Sequence, residues 1–206
     1  MKLHLGCGSK KLEGWVNIDS VPDYSPDLVH NLRNRLPYEN NSVDEVLAED
    51  ILEHFDKYER YFIFFDWIRV LKLNGTITVQ VPNFRAVLFK GAVKSILGRT
   101  TNILIDFIYG ETMFNSKYYT GHYGIHKFAY TWNSLTNFMT SFGLTVYERK
   151  KSGNNLRFTA SKRLAVSFAN VLEKTVWAPA NEGDGDNPYL KLKDIYEEYK
   201  KFHGMK

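Results

Sequence analysis

Leu3-His4-Leu5-Gly6-Cys7-Gly8 is an apolar run entering a glycine-bracketed turn, and an acid, Asp19, closes a second run, Trp15-Val16-Asn17-Ile18, eleven residues after Gly8. Glycines let a ligand come close against the backbone. If the two runs are neighbouring strands, Asp19 stands where a ribose diol would lie, and its carboxylate can accept a hydrogen bond from each hydroxyl. A dinucleotide fingerprint needs a third glycine that opens a full helix, with an acid about 20 residues further on. Here Lys11 holds the third-glycine position, and the connection from Gly8 to Trp15 has room for little more than one helical turn. A pyrophosphate seated on a helix N-terminus is poorly served by this loop. A nucleoside without a phosphate, such as S-adenosylmethionine, loses nothing.

A second group of reactive types follows the fourth apolar run, in Glu49-Asp50-Ile51-Leu52-Glu53-His54. Polar residues at the carboxyl edge of a parallel sheet face ligands in such folds, which makes His54 a catalytic candidate. The third group is the aromatic stretch KYYTGHYGIHKF, where His122 and His126 lie among Tyr118, Tyr119 and Tyr123. An imidazole there suits a general base acting on a hydroxyl. His126 precedes Lys127-Phe128 and a helix, so it is the better anchored of the two. Cys7, the single cysteine, reads as a small packing residue inside the turn rather than a nucleophile. No metal is expected: the acids of APANEGDGDNP lack the spacing and terminal glutamate of a calcium loop.

The elements that must hold these groups alternate as in an α/β protein with a largely parallel sheet. Strands are expected at Lys2 to Leu5, Trp15 to Ile18, Asp27 to His30, Val43 to Ala48 and Thr76 to Val81, then Leu144 to Arg149 and Asn155 to Ser161. A helix from about Lys57 to Leu73 places Tyr61, Phe64, Phe65, Ile68 and Leu71 on one face, with Asp56 and Glu59 as a capping pair and Asn74-Gly75 as its stop. A second helix spans Trp132 to Phe142, closed by Gly143. Between Phe84 and Tyr130 lies an insertion suited to a lid or substrate wall. Residues 163–206 read as a C-terminal extension of two helices joined by a linker. The chain is thus expected to form one domain over 1–162, with the insertion at 84–130, followed by that extension.

Composition narrows the functional classes. A chain of 206 residues, 44% hydrophobic and 15% aromatic, fits one domain with a sizeable core. One cysteine excludes an intramolecular disulfide and a cysteine-built zinc or iron–sulfur site. The net charge of +4 arises from scattered Lys and Arg among 23 acids, an arrangement that speaks against nucleic acid as the partner. No run approaches the ~18 apolar residues of a membrane span and no signal-peptide core precedes the first glycine turn, so the expectation is a cytoplasmic protein without a membrane partner.

The runs LHLGCGSKKLEGWVNID, VHNLRNRLPYENNSVDEVLAEDILEHF and RVLKLNGTITVQVPN, in this order, resemble the S-adenosylmethionine-dependent methyltransferases of the Rossmann-like class that have a shortened first helix. These are relatives of the broad small-molecule methyltransferase family and often accompany glycan-building enzymes. The resemblance covers residues 2 to 83, with a fainter echo in HKFAYTWNSLTNFMTSFGLTVYE. It implies a mostly parallel central sheet with helices on both faces and S-adenosyl-L-methionine as cofactor. Gly6 and Gly8, with Cys7 between them, would line the amino-acid part of that cofactor, and Asp19 its ribose. Asn31 and Leu32 would border the adenine, with Glu49 and Asp50 following the fourth strand. The family more often has Asp where this chain has Asn31.

Methyl transfer from a sulfonium is an in-line displacement with a neutral leaving group, so the enzyme mainly positions the acceptor. An alcohol acceptor also needs a base. No Asn/Asp-Pro-Pro-aromatic motif follows the fourth strand, which argues against amino-methylation of a nucleic-acid base. A tyrosine-rich insertion suits a sugar ring, whose CH faces stack on aromatic side chains. The leading expectation is O-methylation of a sugar or glycan hydroxyl, with His126, His122 or His54 as base. The alternatives are another small molecule or a nitrogen acceptor, or a catalytically silent cofactor-binding module. The C-terminal helices offer a surface for oligomerisation or a partner protein.

Overall fold

The computed structural model describes residues 1–96 and 125–165, together with Glu197. In chain order the elements are β1 (Lys2–Leu5), β2 (Val16–Asp19), β3 (Leu28–Val29), β4 (Val43–Glu49), α1 (Glu59–Val70), β5 (Leu71–Pro82), α2 (Phe84–Ile96), α3 (Trp132–Ser141), β6 (Leu144–Ser152) and β7 (Asn155–Lys162). Short 3₁₀ turns cover Pro22–Tyr24 and Leu52–His54. The strands form one seven-stranded sheet in the order β3-β2-β1-β4-β5-β7-β6. Pairing is parallel from β3 through β5, and antiparallel where β7 meets β5 and β6. The largely parallel sheet expected from the alternating pattern is therefore present.

Register explains why one face became the core. Leu3 pairs with Val16 and Val46, and Leu5 with Ile18 and Ala48; across β5 and β7, Ile77 pairs with Ala160 and Val79 with Phe158. Leu3, Leu5, Ile18, Val46, Ala48, Ile77, Val79, Ala160 and Phe158 are all fully buried. Side chains alternate along a strand, so the intervening residues line the other face. Those are Asn17, His4, Leu47, Thr78 and Thr159, with Glu49, Gln80 and Arg157 in the next row. Helices α1 and α3 cover the apolar face and interlock through rings: Phe64 lies 4.9 Å from Phe138 and 4.9 Å from Phe142. Among the described residues, no helix is long and apolar enough to cross a membrane.

The helix starts conform to their local sequence. Asp56 Oδ1 accepts the backbone N–H groups of Tyr58 and Glu59, both at 2.8 Å, and Glu59 Oε2 accepts that of Asp56 at 3.2 Å. At α3, Thr131 and Ser134 form a reciprocal capping box, and Gly143 follows the helix at φ 73°.

Helix α1 ends earlier than its apolar pattern suggests. It stops at Val70, and Leu71 is already the first residue of β5, paired with Val43. Leu71 is fully buried in that role, so its apolar character serves the sheet rather than the helix stripe. Asn74, at φ 64°, and Gly75 form an irregularity within β5 instead of a helix stop. A Cβ at Gly75 would meet the carbonyl oxygens of Lys72 and Asp44 at 2.9 and 3.0 Å. The carbonyls at the end of α1 are met from two sides: Asn41 and Ser42 N–H donate to Arg69 O and Val70 O at 3.0 and 2.9 Å, and Lys162 Nζ of β7 donates to Ile68 O at 2.8 Å and to Leu71 O at 2.6 Å.

Two strands differ at their ends. Strand β2 begins at Val16 because the Trp15 N–H closes a turn on Leu12 O. Strand β3 contains only Leu28 and Val29, because the Asp27 carboxylate is taken by the backbone N–H and the side-chain amide of Asn17, each at 2.8 Å. Most of the insertion, and the expected C-terminal helices beyond residue 165, lie outside the described residues apart from Glu197.

Candidate active site

The carboxyl ends of β1, β2 and β4 carry Gly6, Cys7, Gly8, Asp19, Glu49 and Asp50, with His54 on the turn after β4, whereas Asn31 and Leu32 follow β3. Gly6 and Gly8 both adopt left-handed backbone, at φ 65° and 52°. The turn is closed on β2, where Cys7 N–H donates to Ile18 O at 3.1 Å and Gly8 N–H to Asp19 Oδ2 at 2.8 Å. Asp19 Oδ1 accepts the Val21 N–H at 2.9 Å. Each carboxylate oxygen thus accepts one backbone N–H and retains a lone pair for a hydroxyl donor.

The two glycines serve different needs. A Cβ at Gly8 would meet nothing within 4 Å, so the backbone there borders open space that a ligand can enter. A Cβ at Gly6 would lie 2.7 Å from Ile51 Cγ1, so this missing side chain makes room for Ile51 instead. Gly6→Ala combines that overlap with a left-handed backbone. It is expected to destabilise the fold by about 2–5 kcal/mol, measurable by urea unfolding; a loss below about 1 kcal/mol would contradict the packing described.

Cys7 is buried, and burial, with Asp19 nearby, pushes its thiol up to about 11. It is neutral packing, not a nucleophile. Asn31 Oδ1 accepts the Arg33 N–H at 3.0 Å, and Leu32 joins the apolar core. Glu49 is clamped by Lys10 Nζ at 2.5 Å and by the Arg157 guanidinium. Burial raises its pKa, but the two cations outweigh burial and hold it below the usual range. Asp50 sits at φ 52° with its carboxylate between Asn155 Nδ2, 2.8 Å away, and Gln80 Nε2, 3.1 Å away. Burial, with Glu49 adjacent, pushes its pKa up.

Beside Asp50 the chain brings His54 and His126 together. The end of the insertion docks on the 3₁₀ turn: the N–H groups of Lys127 and Phe128 both donate to Glu53 O, at 2.7 and 3.1 Å. Arg60 fastens it further, with the guanidinium 3.5 Å from the centre of the Phe128 ring and 3.3 Å from the Tyr130 hydroxyl. The rings of His54 and His126 then stand 4.9 Å apart, edge to face. His54 Nδ1 lies 3.2 Å from Ile125 O. A carbonyl can only accept, so Nδ1 carries the proton and Nε2 the lone pair. Burial, helped by neighbouring His126, lowers the His54 pKa to about 4. His122 lies outside the described residues.

The residue missed in the sequence is Glu53. It is 1% exposed, and neither carboxylate oxygen has a hydrogen-bond partner among the described residues. His126 Nε2 lies 4.0 Å from Oε1, a pairing that becomes ionic only when the imidazole is protonated. Burial, with Asp50 nearby, pushes its pKa well above the ordinary carboxylate range. The run Ile51-Leu52-Glu53 carries a local signal, an acid inside an apolar stretch, but the side of the turn that is covered is decided by residues 125–128 arriving from far along the chain.

No family profile matches the chain, and no curated protein matches it by sequence. Solved structures do match. An S-adenosylmethionine-dependent methyltransferase from Methanosarcina mazei aligns over 80% of this chain and 92% of its own, with TM-score 0.57 and 16% identity. The 1,6-didemethyltoxoflavin-N1-methyltransferase of Burkholderia thailandensis, solved with 1,6-didemethyltoxoflavin and S-adenosylhomocysteine, aligns over 78% of this chain and 70% of its own, with TM-score 0.52 and 13% identity. A possible histamine N-methyltransferase from Thermotoga maritima aligns over 78% of this chain and 81% of its own, with TM-score 0.51 and 13% identity. The chain has the Rossmann-like methyltransferase fold.

Proposed function

We propose that the chain is an S-adenosylmethionine-dependent methyltransferase that O-methylates a hydroxyl of a sugar or glycan. One observation carries this reading: Asp19 ties the glycine turn to β2 with lone pairs to spare, while His54 and His126 meet on the same sheet edge, beyond Asp50. The methyltransferase neighbours, one with S-adenosylhomocysteine bound, support the cofactor. The residues fit it: open space beside Gly8 admits the amino-acid part, and Asp19 accepts from the ribose diol.

When bound, S-adenosylmethionine supplies an electrophilic methyl group on a sulfonium. Asp19 and the glycine turn fix that group in position, and the acceptor is held for in-line attack. The hydroxyl becomes acidic as its bond to carbon forms, and the imidazole of His126 takes the proton. Glu53, buried behind it, then stabilises the imidazolium.

The decisive assay is transfer of a labelled methyl group to panels of nucleotide sugars, oligosaccharides and amines. The expected product is a labelled sugar methyl ether. Two structural neighbours are named for nitrogen acceptors, so label appearing on an amine would establish the second reading. Cofactor binding with no transfer to any acceptor would leave a silent module.

A further inference from the structure

Glu53, His54 and His126 place one ligand atom each within 4.8 Å of one another, the one such group of histidine, cysteine and acidic residues among the described residues. Glu53 is the telling member. A carboxylate 1% exposed without hydrogen-bond partners is costly to keep charged, and a bound cation removes that cost. His54 has the supporting bond common to histidine ligands: Ile125 O lies 3.2 Å from its Nδ1, which holds the ring and leaves the lone pair on Nε2.

We propose that Glu53, His54 and His126 form a binding site for a single divalent transition-metal cation of the zinc or cobalt class. Two imidazoles with one carboxylate favour such an ion over magnesium or calcium, which prefer all-oxygen shells. Three protein ligands leave at least one coordination position for water or a ligand oxygen. Around an ion with bonds of about 2.0–2.1 Å, tetrahedral ligand atoms lie about 3.3 Å apart, so the groups close by roughly 1 Å on loading. The site needs only these three side chains and does not depend on the methyl-transfer reading; while an ion is held, His126 is its ligand and not the proton acceptor, so the two roles belong to the loaded and the ion-free chain.

The test uses the tag-free full chain, stripped with chelator and titrated with cobalt(II) chloride and then zinc sulfate. The expected result is one equivalent of cobalt with visible d–d absorption, displaced by zinc, and binding weakened at least 10-fold to 100-fold in Glu53→Gln and in His126→Ala. His30→Ala, remote from the cluster, should bind as wild type. If Glu53→Gln fails to fold, His126→Ala alone decides. Absence of cobalt binding in the wild type would overturn the site, as would unchanged binding in the folded variants.

Discussion

Replacing His126 with Ala is expected to lower turnover by roughly 100-fold to 10,000-fold, the usual worth of general-base catalysis, with cofactor affinity nearly constant. The argument rests on placement. His126 is held by the Lys127 and Phe128 backbone bonds to Glu53 O, and its Nε2 faces the buried Glu53 carboxylate at 4.0 Å. Asp19, which would hold the cofactor, ends β2, two strands from β4, which the 3₁₀ turn carrying His54 follows. Turnover of the wild type should fall on the acid side as the imidazole is protonated and loses its lone pair. Steady-state kinetics on His126→Ala, His54→Ala and His122→Ala, each checked for folding, separates the candidates. Loss confined to His54→Ala would move the base to the 3₁₀ turn. Full activity in all three would mean positioning alone or a carboxylate such as Asp50.

Asp19→Ala is expected to weaken cofactor binding by about 1.5–3 kcal/mol, roughly 10-fold to 150-fold, because hydrogen bonds to a charged acceptor fall in that range. The side chain also carries the glycine turn through Gly8 N–H and the next turn through Val21 N–H. Part of the loss will therefore come from a loosened loop. Asp19→Asn keeps one acceptor oxygen and should lie between the two. Calorimetry with S-adenosylhomocysteine measures both variants, and wild-type affinity in folded Asp19→Ala would remove Asp19 from the cofactor site.

Much of this arrangement was legible locally. Strand β1, its glycine turn and the acid ending β2 are contiguous patterns, and parallel pairing of β1 with β2 brings Gly8 to Asp19 as the spacing requires. The Asp56–Glu59 cap is equally local. What remained hidden is held by contacts distant in sequence. Leu71 looks like part of the helix's apolar face until its pairing with Val43 is known. Glu49 has the position of a cofactor contact, but the clamp on it closes only when β1 pairs with β4, which brings Lys10, and β7 with β5, which brings Arg157. Glu53 resembles any polar residue of a turn until the chain returns at residues 125–128 to bury it. The meeting of His54 with His126 arises from that same return, which no periodicity reports.

The central claim, a methyltransferase fold serving S-adenosylmethionine, is tested most directly by thermal unfolding of the wild-type chain with S-adenosylmethionine, S-adenosylhomocysteine, NAD and NADP. A ligand that binds only the native state stabilises it by about 2.7 kcal/mol at 100 times its dissociation constant, which raises the melting temperature by several degrees. The account predicts that rise for S-adenosylmethionine and S-adenosylhomocysteine and none for the dinucleotides. A rise with NAD or NADP alone would contradict it and return the glycine turn to dinucleotide binding.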